Sequence, residues 1–394
     1  MEHTTTTQLV DPPEERRALM NRVQSAIYAL RRGDIVRVVA EDGAYLFVSS
    51  ELLNGSNLNR LTELGVGDPF IAITDRRAAV LHIAPTGTSS VCLPLEDMKL
   101  RAVRDLADPT KDLQNPFRVM HPHLTAPVSD AVDEGIRISK LAQLLPAIVA
   151  IKSAPEGGHA SIFNINAGDA VLFETISAVS LKQVSSARVP LHGAENTQVI
   201  AYRPEDGGVE HLAIVIGDLD VDSAVLIRLH SECFTGDLLG SMKCDCGEQL
   251  RGAIEEIGRV GSGVLLYLSQ EGRGIGLMNK MRAYHLQDEG YDTVEANERI
   301  GFESDERVFL PAAEMLRQLG INRVHLMTNN PDKVAALAEQ GINVERRVAH
   351  QFPTNAHNEL YLATKARRSG HYLAINTHSA AAQVGITDPP DEEL

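Results

Sequence analysis

Strand-like and helix-like runs alternate through the second half of the chain, and this restricts the fold more than any other feature. AVLIRLH (224–230) reads as a strand, GEQLRGAIEEIGR (247–259) as an amphipathic helix, and GVLLYLS (263–269) as a buried strand. A glycine-rich loop follows, then helical stretches through LMNKMRAYHLQDEG (277–290) and VFLPAAEMLRQLG (308–320). VHLMTNNPDKVAALAEQGINVERRV (324–348) reads as strand, loop, helix and strand. Such alternation is the signature of α/β architecture. The first half is similar in kind: a helix over NRVQSAIYALRRG (21–33), a strand over DIVRVVA (34–40), strand then helix over PFIAITDRRAAVL (69–81), and helix into strand over ISKLAQLLPAIVAIKS (138–153).

A chain of 394 residues is too long for one small core. The expectation is α/β with two domains, each a mixed sheet with flanking helices. The Gly- and Pro-bearing stretch IKSAPEGGHASIFNINAGDA (151–170) marks the boundary. The resulting division is a disordered tail over 1–18, a first domain over 19–155, a linker over 156–184, a second domain over 185–375 and an acidic tail over 376–394.

Three of the chain's four cysteines fall within fourteen positions, CFTGDLLGSMKCDC (233–246). No apolar run approaches membrane-spanning length and the N-terminus lacks a basic-then-apolar signal, so a cytoplasmic protein without a membrane partner is expected. Thiols stay reduced there, which argues against disulfides. Cys233, Cys244 and Cys246 then read as zinc ligands. Three protein ligands with one position left for water is the catalytic arrangement, in which the metal brings the pKa of water down to about 7. Two readings compete: small core residues, or a closed structural site completed by His230 or Cys92. The net charge of −16 argues against nucleic acid as a partner but leaves room for a small anion held by local basic groups.

With its flanks, RLHSECFTGDLLGSMKCDCGEQL (228–250), the cluster closely resembles GTP cyclohydrolase II. The likeness continues through LYLSQEGRGIGLMNKMRAYHLQDEGYDTVEAN (266–297), GFESDER (301–307), LMTNNPDK (326–333) and HNELYLATKARRSGH (357–371), covering about residues 185 to 373. The resemblance implies hydrolysis of GTP to 2,5-diamino-6-ribosylamino-4(3H)-pyrimidinone 5′-phosphate, formate and pyrophosphate, the first step of riboflavin biosynthesis. It also implies Zn2+ on Cys233, Cys244 and Cys246, Mg2+ with the triphosphate, and a homodimer. GTP contacts carry over to Arg228, Leu229, His230, Ser231, Glu232, Gln249, Glu271, Gly272, Arg273, Thr293, Thr328 and Lys333. Asp305 matches a proton acceptor, Arg307 a nucleophile towards the α-phosphorus, and Tyr284 an active-site tyrosine. Guanidinium is a poor nucleophile but suits stabilisation of phosphoryl charge, so both roles for Arg307 stay open. A relative working in pyrimidine breakdown, or a nucleotide-binding scaffold with structural zinc, are the rival functions.

Read without the family, these residues say less. QEGRGIG (270–276) could be a tight turn before a helix, and its glycine spacing does not match a dinucleotide fingerprint. Asp305 and Arg307 could form a surface ion pair. Lys333 lies just after Asn330 and Pro331, which read as a helix cap and first position. A cation in a first turn opposes the helix dipole, which hints at phosphate. A Glu suits guanine, accepting from N1–H and the exocyclic amine, but which Glu does so is open.

In the first domain, AIYALRRGDIVRVVAEDG (26–43) and GDPFIAITDRRAAVL (67–81) faintly resemble 3,4-dihydroxy-2-butanone 4-phosphate synthase. That chemistry needs an acidic, Arg-bearing loop after the first strand. AEDGAYLFVSSELL (40–53) keeps Glu41 and Asp42, but Gly43, Ala44, Tyr45, Leu46 and Phe47 follow. A degenerate, inactive domain is expected; the alternative is an unrelated α/β domain.

Overall fold

The computed structural model describes residues 13–83, 89–95, 98–114, 129–154, 162–350 and 352. The motif over 357–371 and the tail over 376–394 lie outside the described residues.

The first unit contains α1 (Pro13–Arg31), β1 (Val36–Ala40), β2 (Gly43–Ser49), α2 (Gly55–Leu64), β3 (Gly65–Thr74), α3 (Asp75–Val80), β4 (Ser90–Pro94), α4 (Leu100–Ala107), α5 (Asp130–Leu141), β5 (Ala147–Ser153), β6 (Phe163–Asn166) and α6 (Asp169–Val179). Its six strands are ordered β4-β3-β5-β2-β1-β6, all antiparallel neighbours except the parallel pair β1 and β6.

The second unit follows with β7 (Lys182–Arg188), β8 (Thr197–Arg203), β9 (His211–Ile216), β10 (Val225–Ser231), α7 (Cys246–Val260), β11 (Gly263–Leu268), α8 (Leu277–Asp288), α9 (Thr293–Ile300), α10 (Leu310–Gln318), β12 (Arg323–Met327), α11 (Pro331–Glu339) and β13 (Asn343–Val348). Seven strands run in the order β13-β12-β10-β11-β9-β8-β7. The first four are parallel, and β9, β8 and β7 extend the sheet antiparallel. The expected α/β class with two mixed sheets is what the chain adopts.

Two expected boundaries change. Residues 163–166 and 169–179, placed in the linker, form β6 and α6. β6 pairs with β1, and Asp169 at the start of α6 accepts from Arg22 of α1 at 3.0 Å. A four-residue strand with three exposed positions offers no alternation to read. At the other end α1 begins at Pro13, inside the expected tail; proline suits a first helical position, and Glu14 and Glu15 complement the helix dipole.

The two units share a core. Ile275, Ala283, Leu286, Ala296, Ile300 and Phe302 of the second cluster with Leu46, Ile71, Ile73 and Val149 of the first. Phe302 is 1% exposed, and burial of such a ring stabilises by about 1.5–3 kcal/mol. Arg77 crosses the same boundary fully buried, bonded to Asp112 at 2.6 and 2.7 Å and to the Arg299 carbonyl at 3.1 Å. Among the described residues no helix is long and apolar enough to cross a membrane.

A buried histidine of this frame makes stability depend on pH. The Ser269 N–H donates to His211 Nδ1 at 3.0 Å, which requires that nitrogen unprotonated, and burial lowers the His211 pKa to about 4. The unfolded chain takes up this proton near pH 6.5 and the folded chain only near 4. The contribution is therefore complete above pH 6.5 and lost as pH falls from 6.5 to 4, amounting to roughly 3 kcal/mol. His211→Asn, whose amide oxygen can accept the same bond, is expected to flatten this acid-side loss in chemical denaturation measured from pH 7 to 4; an unchanged pH profile excludes His211 as its source.

Candidate active site

The parallel strands β12, β10 and β11 end side by side, and ligands of open α/β sheets bind beyond such carboxyl ends. Strand alternation sorts the end of β10: Ile227 and Leu229 point into the core while Arg228 and His230 share the other face and line a cleft. Leu229 is thus a core side chain, and what it offers the site is its carbonyl, which accepts from Lys333 Nζ at 2.8 Å.

After β10 the chain makes a single π-helical turn over Phe234–Leu238, and α7 starts at Cys246. Together they gather Cys233, Cys244 and Cys246, whose sulfurs all lie within 4.8 Å of one another. Cys233 Sγ and Cys244 Sγ are 3.7 Å apart. Tetrahedral zinc at 2.3 Å from each thiolate requires about 3.8 Å, so the trio fits the metal. A Cβ at Gly236 would stand 2.9 Å from Cys244 Sγ and 3.0 Å from Cys233 Sγ, so only glycine lets the turn close over the sulfurs. Bonds with the other two thiols, and then with Lys280, hold the Cys233 thiol far below its ordinary pKa, while contact with Cys233 raises Cys244 and Cys246.

The cleft beside the sulfurs encloses about 1090 Å3 of space, including the open mouth. Five cationic side chains (Arg228, Arg273, Lys280, Arg307, Lys333) and three carboxylates (Glu232, Asp245, Glu271) line it, a local positive excess on an acidic protein. Helices α7, α9 and α11 present their N-termini, with Cys246, Thr293 and Lys333 in the wall; such ends favour anions. Asn330 caps α11, accepting from Asp332 N at 2.9 Å, with Pro331 at the first position, as read from the sequence. Arg228 is 5% exposed; its fork donates to the Met327 carbonyl at 2.9 Å and to Gln249 Oε1 at 2.5 Å, and its buried Nε has no hydrogen-bond partner among the described residues. Burial lowers its pKa to about 10, still charged at neutral pH.

Tyr284 OH lies 3.2 Å from Thr235 Oγ1, which lies 3.7 Å from Cys233 Sγ, so the tyrosine reaches the sulfur trio through one hydroxyl. His230 Nε2 stands 3.1 Å from both oxygens of Asp237, which also accept from Tyr267 OH and Cys233 N. Arg307 grips Asp305 through Nε at 2.8 Å and through NH2, and NH1 reaches towards Ser231 Oγ at 3.5 Å. Burial alone would raise the Asp305 carboxyl, but Arg307, joined by the charge of Arg273, holds it below the ordinary range.

Ser231, Glu232, Gln249, Glu271, Gly272, Arg273, Thr293, Thr328, Tyr284, Arg307 and Lys333 all line this one cleft with Arg228, His230 and the three cysteines. Asp305 stands behind Arg307. Sequence reasoning missed Asp237 and Lys280. Lys280 Nζ donates to Cys233 Sγ at 2.9 Å and to Glu271 Oε1 at 2.8 Å. Its signal was the i, i+4 spacing to Tyr284, which puts both on one helix face. Glu271 is spent on this network: it also accepts from Gly272 N at 2.8 Å and Phe234 N at 2.7 Å.

A thiol trio with the spacing to hold a metal, opening onto a cationic cleft at the carboxyl ends of parallel strands, has the layout of an enzyme site for an anionic substrate. A model of the GTP cyclohydrolase II family matches residues 182–349, the span of the second sheet. A GTP cyclohydrolase-2 of Azospirillum brasilense is 50% identical over 369 residues, covering 90% of this chain and 94% of that protein. One from Shewanella baltica is 49% identical over 203 residues, covering 50% of this chain and 96% of that protein. The chain belongs to the GTP cyclohydrolase II family. Among solved structures, a two-domain 3,4-dihydroxy-2-butanone 4-phosphate synthase from A. baumannii aligns over 84% of this chain and all of that one, with 14% identity and a TM-score of 0.31, a likeness too slight to assign the first unit.

Proposed function

We propose that the protein hydrolyses GTP to 2,5-diamino-6-ribosylamino-4(3H)-pyrimidinone 5′-phosphate, formate and pyrophosphate, with zinc on Cys233, Cys244 and Cys246, as the first step of riboflavin biosynthesis in the cytoplasm. The observation carrying this reading is the sulfur trio in the wall of a cleft with five cations. Zinc, when bound, supplies a Lewis acid that makes water nucleophilic near neutral pH.

The chain's own residues supply the rest. Arg228, Arg273, Arg307 and Lys333 receive the triphosphate, and Arg228 Nε is a donor awaiting an acceptor. Because Glu271 is engaged by Lys280 and two backbone N–H groups, and the buried Asp245 by the Gln249 amide, Glu232 is the carboxylate left to accept from the guanine edge. Tyr284, with Thr235, holds or passes a proton beside the sulfur trio while the ring opens. Arg307 stabilises charge on the phosphoryl group; the proton-acceptor role of Asp305 requires its pair with Arg307 to open when substrate arrives. Magnesium arrives with the triphosphate: among the described residues no second cluster of three metal-ligating side chains exists. A homodimer belongs to the same proposal.

The first unit, in this reading, has no synthase activity. Glu41 and Asp42 form the exposed two-residue turn of the β1–β2 hairpin, with Ala40 opposite Gly43, so no loop is there to surround a magnesium ion.

Zinc-loaded full-length protein incubated with GTP and magnesium is expected to release formate and pyrophosphate in equal amounts, and none after zinc is stripped by chelation. Release of neither product by the loaded protein excludes the reading. Butanone phosphate formed from ribulose 5-phosphate would restore a synthase to the first unit.

A further inference from the structure

The N-terminal unit meets the wall of the cleft through the last turn of α5. Lys140 Nζ donates to Glu306 Oε1 at 2.6 Å. Glu306 lies between Asp305 and Arg307, and its backbone N–H donates to the Arg273 carbonyl at 3.0 Å. The same Oε1 accepts from Glu303 N at 2.8 Å, and Arg273 NH1 donates to the Ser304 carbonyl at 3.1 Å. The loop carrying Arg273 and the loop carrying Arg307 are thus joined through Glu306, and Lys140 ties both to α5.

One turn further, the Gln143 carbonyl accepts from Asn279 Nδ2 of α8 at 3.0 Å. Its side chain covers Gly276, where a Cβ would stand 2.8 Å from Gln143 Cδ. A Cβ at Gly274 would stand 2.8 Å from the Glu306 carbonyl oxygen, so the turn touches the ESDER loop as well. Two non-glycine residues at this junction, Gln143 (φ 58) and Arg273 (φ 63), have left-handed backbone. Such conformations persist only where surrounding contacts over-determine them. At Arg273 those contacts are Glu306 N–H and Ser304; at Gln143 they are Arg31 NH2, 3.2 Å from Oε1, and the Lys140 carbonyl, 2.8 Å from N.

Charge gives Lys140 a further part. Glu303, Asp305 and Glu306 crowd within four residues, and the Lys140–Glu306 pair is about four-fifths buried on both sides, where salt screens it less than at the surface. Without the ammonium, the Glu306 carboxylate loses its cation while Glu303 and Asp305 keep theirs, Arg76 and Arg307, and the tie from α5 to the loop is cut.

We propose that the C-terminal turn of α5 is a positioning element for the cleft, in which Lys140, acting through Glu306, sets the spacing of the Arg273 and Arg307 guanidinium groups that receive the triphosphate. The inference rests on the GTP reading. Lys140 touches no reacting atom, so the effect falls on substrate affinity rather than on the existence of activity.

Steady-state kinetics on full-length, zinc-loaded protein test it, with thermal melts to verify folding. Lys140→Met and Glu306→Gln are each expected to raise KM for GTP about fivefold, with kcat within about twofold of the parent. The double variant is expected to be no worse than the worse single one, since both remove one interaction, and Lys140→Arg is expected to keep the parental KM. Parental KM in both single variants, additive effects in the double, or a Lys140→Arg as weak as Lys140→Met each overturn the proposal. An inert parent sinks the GTP reading instead, so the two failures are distinguishable.

Discussion

Cys246→Ser is expected to give a folded protein that holds no zinc and releases formate from GTP at least about 10^3-fold more slowly than the parent. Cys246 opens α7, and its sulfur completes the trio. Serine preserves the shape but replaces a soft, ionisable thiol by a hard hydroxyl that stays protonated, and two thiolates alone hold zinc poorly. The fold is expected to survive, because α7 remains anchored by Ala253 and Ile257 and the sheet's other core lies across the strands. Cys92→Ser is the matched control. Cys92 lies in β4, where burial pushes its thiol up to about 12, and it takes no part in the trio. Metal analysis, formate release and a thermal melt on both variants decide the matter. Full zinc content and parental turnover in Cys246→Ser would remove the basis of the metal-assisted mechanism.

The cysteine trio and most of the cleft were legible because the chain gathers them at strand ends, where short strings such as HSEC and TNNPDK carry several site residues at once. Parallel strands buried on both faces, such as β10, β11 and β12, also announce themselves as apolar runs. The edge strand β7 was not legible: all seven of its residues are exposed, so no alternation marks it, and it exists because β8 offers an edge to pair with. Helix α9 was missed because eight residues give little more than two turns of pattern. Lys280 was missed for a different reason: a lysine on a helix ordinarily faces water, and only the folding of Glu271 and Cys233 around it turns that position inward. The contact of Lys140 with Glu306 joins residues 166 positions apart, beyond any local pattern.

Arg307→Lys is expected to lower kcat/KM for GTP about 10^2- to 10^3-fold, and Asp305→Asn only about tenfold. Arg307 is 11% exposed at its side chain, with Nε and NH2 committed to Asp305 and NH1 directed towards Ser231 at the cleft. A planar fork can satisfy the carboxylate behind it and present charge in front at the same time. A lysine ammonium cannot do both: bonding Asp305 draws it away from the phosphate, and facing the phosphate leaves the half-buried Asp305 without its cation. Asparagine at 305 keeps an oxygen for Nε, so the guanidinium stays roughly in place and loses only the charge that steadied it. If Asp305 instead accepts a proton in the rate-limiting step, Asp305→Asn falls at least as far as Arg307→Lys, because an amide cannot take that proton. The first turnover separates the two roles of Arg307 itself. A covalent bond from a guanidinium nitrogen to the α-phosphorus would release pyrophosphate in a burst that outruns the phosphorylated pyrimidine product, leaving nucleotide attached to the protein after rapid quenching. Charge stabilisation gives no attached nucleotide, and the engagement of Nε and NH2 by Asp305 is the geometric reason to expect that result.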